Sequence, residues 1–258
     1  MKMRRSRVLE KLRSGGVANS FKLNLADGRA AEIVAMSGFD CIWVCMEHVA
    51  NDWEVVEKQI WASKAYDTDV MVRIARGSYS DYVRPLELDA AGIMVPHIMS
   101  ANDAQQVARM TRFHPLGRRP VDGGNADGAY CNIEFKSYLK QANDERFVVV
   151  QIEDPEPLEE LEEIAKIDGI DMLFFGPGDF SHGIGAPGEW NHPKLLDARK
   201  RVVETALAFG KYAGTVGTLE NYEDLVAMGY RFINIGADVL ALTEYTGNII
   251  KNLKTKKI

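Results

Sequence analysis

Short apolar runs alternate with stretches of helical periodicity from one end of the chain to the other. Runs at 17–23, 41–46, 70–74, 92–96, 147–152, 171–175, 212–216 and 231–235 have the length and composition of buried strands. Between them, segments such as 54–65, 103–112, 158–166 and 195–209 repeat apolar residues at the 3.6-residue period of a helix. Strands that are apolar on both faces, each followed by a helix, imply a parallel sheet covered on both sides. Eight such units in about 250 residues is the arithmetic of a (β/α)8 TIM barrel, an α/β fold. A doubly wound open sheet is the structural competitor. It would carry a Gly-rich turn after its first strand, and none is present.

No Pro/Gly/Ser-rich linker and no shift in composition divides the chain, so residues 1–258 read as a single domain. Val8, Leu9 and Leu12 form one face of an N-terminal helix that Gly15 and Gly16 stop. A last helix, from 238 to about 253, puts Val239, Leu242, Ile249, Ile250 and Leu253 largely on one side. Such a face either closes its own barrel or packs on a neighbouring subunit. The one irregular stretch, 114–130, is rich in Gly, Asp and Pro, and at that length it reads as a functional loop.

Composition narrows the picture only modestly. With 258 residues, 46% hydrophobic and 26% charged, the chain can build a full core without disulfides or a structural metal. The net charge of −6 argues against a nucleic-acid binder, which carries a clustered basic excess. No apolar run approaches the roughly 18 residues that span a bilayer, and the basic N-terminus lacks a secretory pattern. A cytoplasmic protein without membrane partners is expected. Cys41, Cys45 and Cys131 show no metal-like spacing and read as buried, reduced thiols.

In a barrel the chemistry lies at the carboxyl ends of the strands. Strand two ends in Glu47-His48, strand three in Arg73 and strand four in Pro96-His97. Strand five ends in Gln151-Ile152-Glu153, and strand six runs into Gly176-Pro177-Gly178-Asp179. Glu153 and Asp179, with no Cys or His next to either, suit a hard divalent ion such as Mg²⁺ or Mn²⁺. Solvated rim carboxylates would have the same spacing. Gly178 lets a ligand approach its backbone N–H, although an ordinary strand-to-helix turn needs no ligand. His48 has the pKa range of a general base or is simply structural. Arg73 offers a rigid fork to a carboxylate or makes a structural ion pair. His97 and His114 read as local loop contacts. Lys22, on strand one, is the only lysine placed to form a Schiff base inside the barrel, and a solvated end position is its simpler reading.

Taken together these segments resemble the metal-dependent pyruvate aldolases of the HpcH/HpaI family. The resemblance is carried by Gly38-Phe39-Asp40 followed by Met46-Glu47-His48, by Val72-Arg73, and by Leu88-Asp89-Ala90-Ala91-Gly92-Ile93-Met94-Val95-Pro96. It continues in Gln151-Ile152-Glu153 and Phe175-Gly176-Pro177-Gly178-Asp179-Phe180-Ser181. It runs in order over nearly the whole chain. It implies a class II aldolase, a carbon–carbon lyase that cleaves 4-hydroxy-2-oxo acids to pyruvate and an aldehyde through a metal-stabilised enolate. Glu153 and Asp179 would hold the metal, Mg²⁺ or Mn²⁺, with Co²⁺ as a further candidate. Gln151 and the Gly178 backbone would hold the pyruvoyl part, Arg73 would stabilise the enolate, and Val216 would line the pocket. His48 would be the base, its basicity raised by Asp89 accepting a hydrogen bond from it. The resemblance further implies a homo-hexamer, a trimer of dimers, whose last helix is exchanged between partners.

Two stretches depart from the family's pattern. Cys45 stands where the family commonly has Asp, and 117–122 replaces a Gly-x-Arg-Gly-Val-Gly loop. The resemblance puts that loop near the aldehyde, so a different acceptor is expected. Asp154, by strand alternation, should point away from the metal. A citryl- or malyl-CoA-type lyase on the same barrel and a non-catalytic oligomeric barrel are the alternative readings.

Overall fold

A computed structural model describes residues 1–256. Eight strands run in parallel: β1 (Ala18–Leu23), β2 (Cys41–Cys45), β3 (Asp69–Arg73), β4 (Gly92–Val95), β5 (Phe147–Ile152), β6 (Met172–Phe175), β7 (Tyr212–Gly217) and β8 (Phe232–Ala237). Each pairs with the next, and β8 returns to β1, closing the barrel in sequence order. The expected eight-unit barrel is therefore the fold, with strand boundaries shifted by a residue or two.

Alternation along the strands builds two cores. Outward side chains such as Ile42, Val44, Val70, Val72, Val148 and Val150 pack under the surrounding helices. Inward ones, including Ala18, Cys41, Trp43, Met71, Met94, Phe147, Val149, Met172, Phe174 and Phe232, fill the barrel itself. Val8, Leu9 and Leu12 of the N-terminal helix Arg7–Arg13 join this inner cluster, as their common face suggested. Ser6 caps that helix by accepting from the Leu9 N–H, which satisfies one of its orphan donors.

Period-two alternation also decides what reaches the mouth. Continuing the inward series past the apolar layers gives Lys22 on β1, Cys45 on β2, Arg73 on β3, Gln151 on β5 and Gly176 after β6. Among the described residues, the 238–254 segment is helical as expected (Asp238–Lys254) and has no buried residue. Leu240, Leu242, Tyr245, Ile249, Ile250 and Leu253 are exposed on it. No helix among the described residues is long and apolar enough to cross a membrane.

The loop over 114–130 is ordered by its own buried pair. Arg119 donates to Asp127 at 2.7 Å, and the Tyr138 hydroxyl donates to the same carboxylate at 2.9 Å. This knot lies beside the helix Tyr79–Glu87, and none of its hydrogen bonds reaches the strand-end residues of its own chain. Arg119 and Asp127 are thus spent on packing the loop itself. Cys131 also departs from expectation: it is exposed, whereas Cys41 and Cys45 are buried.

Candidate active site

Arg73, the last residue of β3, is almost fully buried, and three groups hold its guanidinium. Its Nε lies 3.0 Å from Glu47 Oε2, its Nη2 donates to Cys45 Sγ at 3.2 Å, and the plane sits 4.9 Å from the Trp43 ring centre. Cys45, standing where the family commonly has Asp, thus contacts Arg73, and it also accepts from the His48 backbone N–H at 3.4 Å. A rigid guanidinium fork held in this way suits a ligand anion.

Glu153 follows the end of β5 and is buried. Its Oε1 accepts from the His97 backbone N–H at 2.9 Å, and its Oε2 accepts from the Gln151 amide. A Cβ at position 176 would fall 2.6 Å from Glu153 Oε2, so only glycine leaves room for this carboxylate. Burial, with the charge of Asp179 adding to it, pushes the Glu153 carboxyl up to about 7. The His97 N–H, the His97 ring and Arg73 pull the other way without cancelling the effect. Asp179, exposed in the first turn of the helix Pro177–Gly183, stands across from it. The space beyond Gly178 is empty to 4 Å, as ligand access to that turn requires.

His97 completes this corner. It has a left-handed backbone, φ 49°, which turns it over the mouth immediately after β4. Ligand atoms of His97, Glu153 and Asp179 lie within 4.8 Å of one another. The His97 Nδ1 is 2.8 Å from Asp154, and its Nε2 is 3.6 Å from Glu47. Burial works to lower the His97 pKa, but the bond to Asp154 and the charges of Glu153, Asp154 and Glu47 raise it above the ordinary value. Two hard carboxylate oxygens and one imidazole nitrogen form a donor set suited to a divalent cation. A buried carboxyl held mostly by neutral donors is the observation of this site that best fits such a charge.

The family model for the HpcH/HpaI aldolase/citrate lyase family matches residues 21–244. The chain belongs to that family. A 2-keto-3-deoxy-L-rhamnonate aldolase of Shigella sonnei is 30% identical over 253 residues, covering 96% of this chain and 93% of that protein. The crystal structure of an HpcH/HpaI aldolase from Desulfitobacterium hafniense superposes with a TM-score of 0.91 at 27% identity, over 96% of this chain and 97% of that one. A Burkholderia cenocepacia protein of the HpcH/HpaI aldolase/citrate lyase family gives 0.89 at 29% identity, covering 97% of this chain and all of its own. Like its HpcH/HpaI relatives, this protein is a carbon–carbon lyase.

Against this family background the sequence expectations separate. Arg73, Gln151, Glu153 and Asp179 converge on one mouth with Gly178 beside them. His48 stands at the rim with 55% of its side chain exposed, its Nε2 3.5 Å from Glu47. Val216, near the end of β7, is also exposed and shares a groove with Pro177 and Trp190. Asp89 does not belong with them. It precedes β4, at the opposite end of the barrel from the mouth, where its buried carboxylate is paired with Arg146 and Lys64. Within one chain that position keeps Asp89 away from His48, and its two ion pairs anchor this end of the barrel. Asp154 also corrects its expectation. β5 ends at Ile152, so alternation no longer governs residue 154, and its carboxylate turns to His97. Lys22 is not a solvated strand end either, but lies half-buried over the Trp43 ring.

Two site residues carried too little signal to be assigned in advance. Glu47 was visible only as a neighbour of His48, yet it contacts Arg73 and approaches both His48 and His97. His97 was read as a loop contact because nothing in the sequence marks its left-handed turn.

Proposed function

We propose that this protein is a divalent-metal-dependent pyruvate aldolase, reversibly cleaving a 4-hydroxy-2-oxo acid of the 2-keto-3-deoxy type into pyruvate and an aldehyde. The carrying observation is the convergence of Glu153, Asp179 and His97 within 4.8 Å, beside a buried Arg73. Glu153 and Asp179 would hold the cation, with His97 as a third donor, and Mg²⁺ or Mn²⁺ suits the two carboxylates. When bound, the cation supplies a Lewis acid for negative charge at the 2-oxo group.

The remaining chemistry falls to the chain's own residues. Gln151 and the N–H of Gly178 orient the 2-oxo acid's carboxylate; the latter lies in a first helical turn, where backbone donors lack intrahelical partners. His48 takes the proton of the 4-hydroxyl. As that O–H electron pair forms the aldehyde C=O, the C3–C4 bond breaks and its electrons pass to the C2 oxygen. The Arg73 guanidinium, fixed by Glu47 and Cys45, faces the developing enolate charge without having to reorganise. Return of a proton to C3 gives pyruvate. Val216 contributes apolar wall to the pocket.

The exposed apolar side chains of the helix Asp238–Lys254 support a homo-hexamer, a trimer of dimers, in which this helix is exchanged between partners. A cytoplasmic location without nucleic-acid or membrane partners belongs to the same reading, supported by the acidic charge balance.

The test is cleavage of a synthetic 4-hydroxy-2-oxo acid, followed by coupled detection of pyruvate. Activity should require Mg²⁺ or Mn²⁺, disappear with EDTA and return on adding the metal back. Malyl-CoA should remain intact. Cleavage of malyl-CoA in place of the free acid would overturn the assignment in favour of an acyl-CoA lyase.

A further inference from the structure

One cation in the mouth has no part in this chemistry. Lys22 is the last inward residue of β1, paired in register with Trp43 on β2. Its ammonium lies 5.3 Å from the centre of the Trp43 ring, the same ring that carries Arg73 at 4.9 Å. The barrel is irregular at this point. Between Ser20 and Lys22 on one side and Asn234 and Ala237 on the other, β8 holds one extra residue. Gly236 takes up the left-handed conformation there, with φ 82°. Bulges of this kind re-aim side chains beside active sites.

The charges around Lys22 do not balance locally. No carboxylate oxygen among the described residues lies within 4.0 Å of its Nζ, and it makes no hydrogen bond. The two acids that act on it from farther away are engaged elsewhere. Glu47 is held by Arg73 at 3.0 Å, and Asp238 accepts the N–H groups of Asn24 and Leu25 at 2.8 and 2.9 Å. Burial, reinforced by Arg73, lowers the Lys22 pKa below the ordinary lysine value. Unlike Arg73, this half-buried ammonium therefore has no close counter-charge.

Position defines which part of a substrate would meet it. β1 lies diametrically across the closed barrel from β5, which carries Gln151 and leads into Glu153. A 2-oxo acid held at β5 and β6 directs its far end, the part released as aldehyde, toward the β1 wall.

We propose that Lys22 is a specificity residue that binds an anionic group on the aldehyde half of the substrate, so that the preferred acceptor is an acidic aldehyde. This rests on the aldolase reading and deepens it. The indole of Trp43 fixes the ammonium from below, and a carboxylate on the substrate supplies the missing counter-charge as a charge-assisted hydrogen bond. The competing role for this lysine, a Schiff base with the oxo acid, would place a covalent bond where the anion is proposed to sit.

The test compares two aldehydes of equal carbon count, glyoxylate and glycolaldehyde, condensed with pyruvate by the Mn²⁺-loaded wild type, Lys22→Met and Lys22→Arg. The wild type should favour glyoxylate. In Lys22→Met the ratio of kcat/KM for glyoxylate to that for glycolaldehyde should fall by about 10–100-fold, the worth of one hydrogen bond to a charged group. The change should appear mainly in KM for glyoxylate, and Lys22→Arg should restore most of the ratio. Both aldehydes reacting with a ratio that Lys22→Met leaves unmoved would overturn the proposal, as would borohydride trapping of pyruvate on Lys22. If the folded wild type condensed neither aldehyde, nor any other, with pyruvate, the aldolase reading itself would fail.

Discussion

At the scale of single residues the site is a balance between one buried acid and the groups around it. Glu153 is the centre of that balance because its carboxyl, at about 7, keeps its proton well above the ordinary value of 4.5. In the unfolded chain the same group ionises near its ordinary value. Between these two values the folded state binds more protons, so this group makes stability fall as pH rises, and the loss is complete above about pH 7. Metal-free protein should therefore lose Tm between about pH 5 and 7.5 relative to Glu153→Gln. Mn²⁺ at pH 7.5 should restore the wild type and have little effect on the variant. A pH-independent Tm difference between the two proteins would show that Glu153 does not titrate in this way.

The same scale shows which residues could be read in advance. Arg73, Gln151, Glu153 and Asp179 were legible because they lie at the carboxyl ends of β3 and β5 or in the turn that follows β6, where barrel geometry collects polar groups. Asp89 misled for a physical reason. It lies in a well-matched segment, but before its strand and not after it, so the fold carries it to the far end and pairs it with Arg146. His97 and Asp154 were misread because both lie just past a strand end, where backbone turns replace alternation.

At the scale of elements, the meeting of β5 and β6 decides the geometry. Their register pairs Gln151 with Phe174 and Ile152 with Phe175, which places Gly176 against the Glu153 carboxylate. Gly176→Ala should push that carboxylate aside while leaving the barrel folded. Mn²⁺ affinity, measured by electron paramagnetic resonance titration, should then fall about 10–100-fold, the usual cost of disturbing the support of a metal ligand. Unchanged affinity would mean that Glu153 is not a ligand. The strands were almost fully legible because apolar runs of four to six residues, repeated eight times, have few other arrangements. The 158–166 stretch was less so: its periodicity continues across a 3₁₀ turn at Glu156–Glu160 and a short helix at Leu161–Ala165. A periodic apolar face does not distinguish those two helical geometries over so short a span.

At the scale of the whole molecule, the last helix is the largest apolar feature left outside the barrel's own packing among the elements described above. A helix of 17 residues with no buried side chain and six large exposed apolar ones is poorly matched to life in water alone. Leu242→Asp with Ile250→Asp should leave the barrel's circular dichroism intact. In sedimentation velocity the pair should convert the expected hexamer to smaller species. A wild type that sediments as a monomer would remove the basis for helix exchange. The sequence displayed that apolar face, but a single chain carries no information on the surface that receives it.

The central claim, that Glu153 and Asp179 hold a divalent cation which promotes enolate formation from a 2-oxo acid, is tested most directly by proton exchange at the pyruvate methyl group. In D₂O, followed by NMR, the Mg²⁺-loaded protein should replace the methyl protons of pyruvate with deuterium. The exchange should stop with EDTA and be absent from Asp179→Asn. Exchange that survives EDTA, or that never appears with Mg²⁺ or Mn²⁺ in folded protein, would contradict the account.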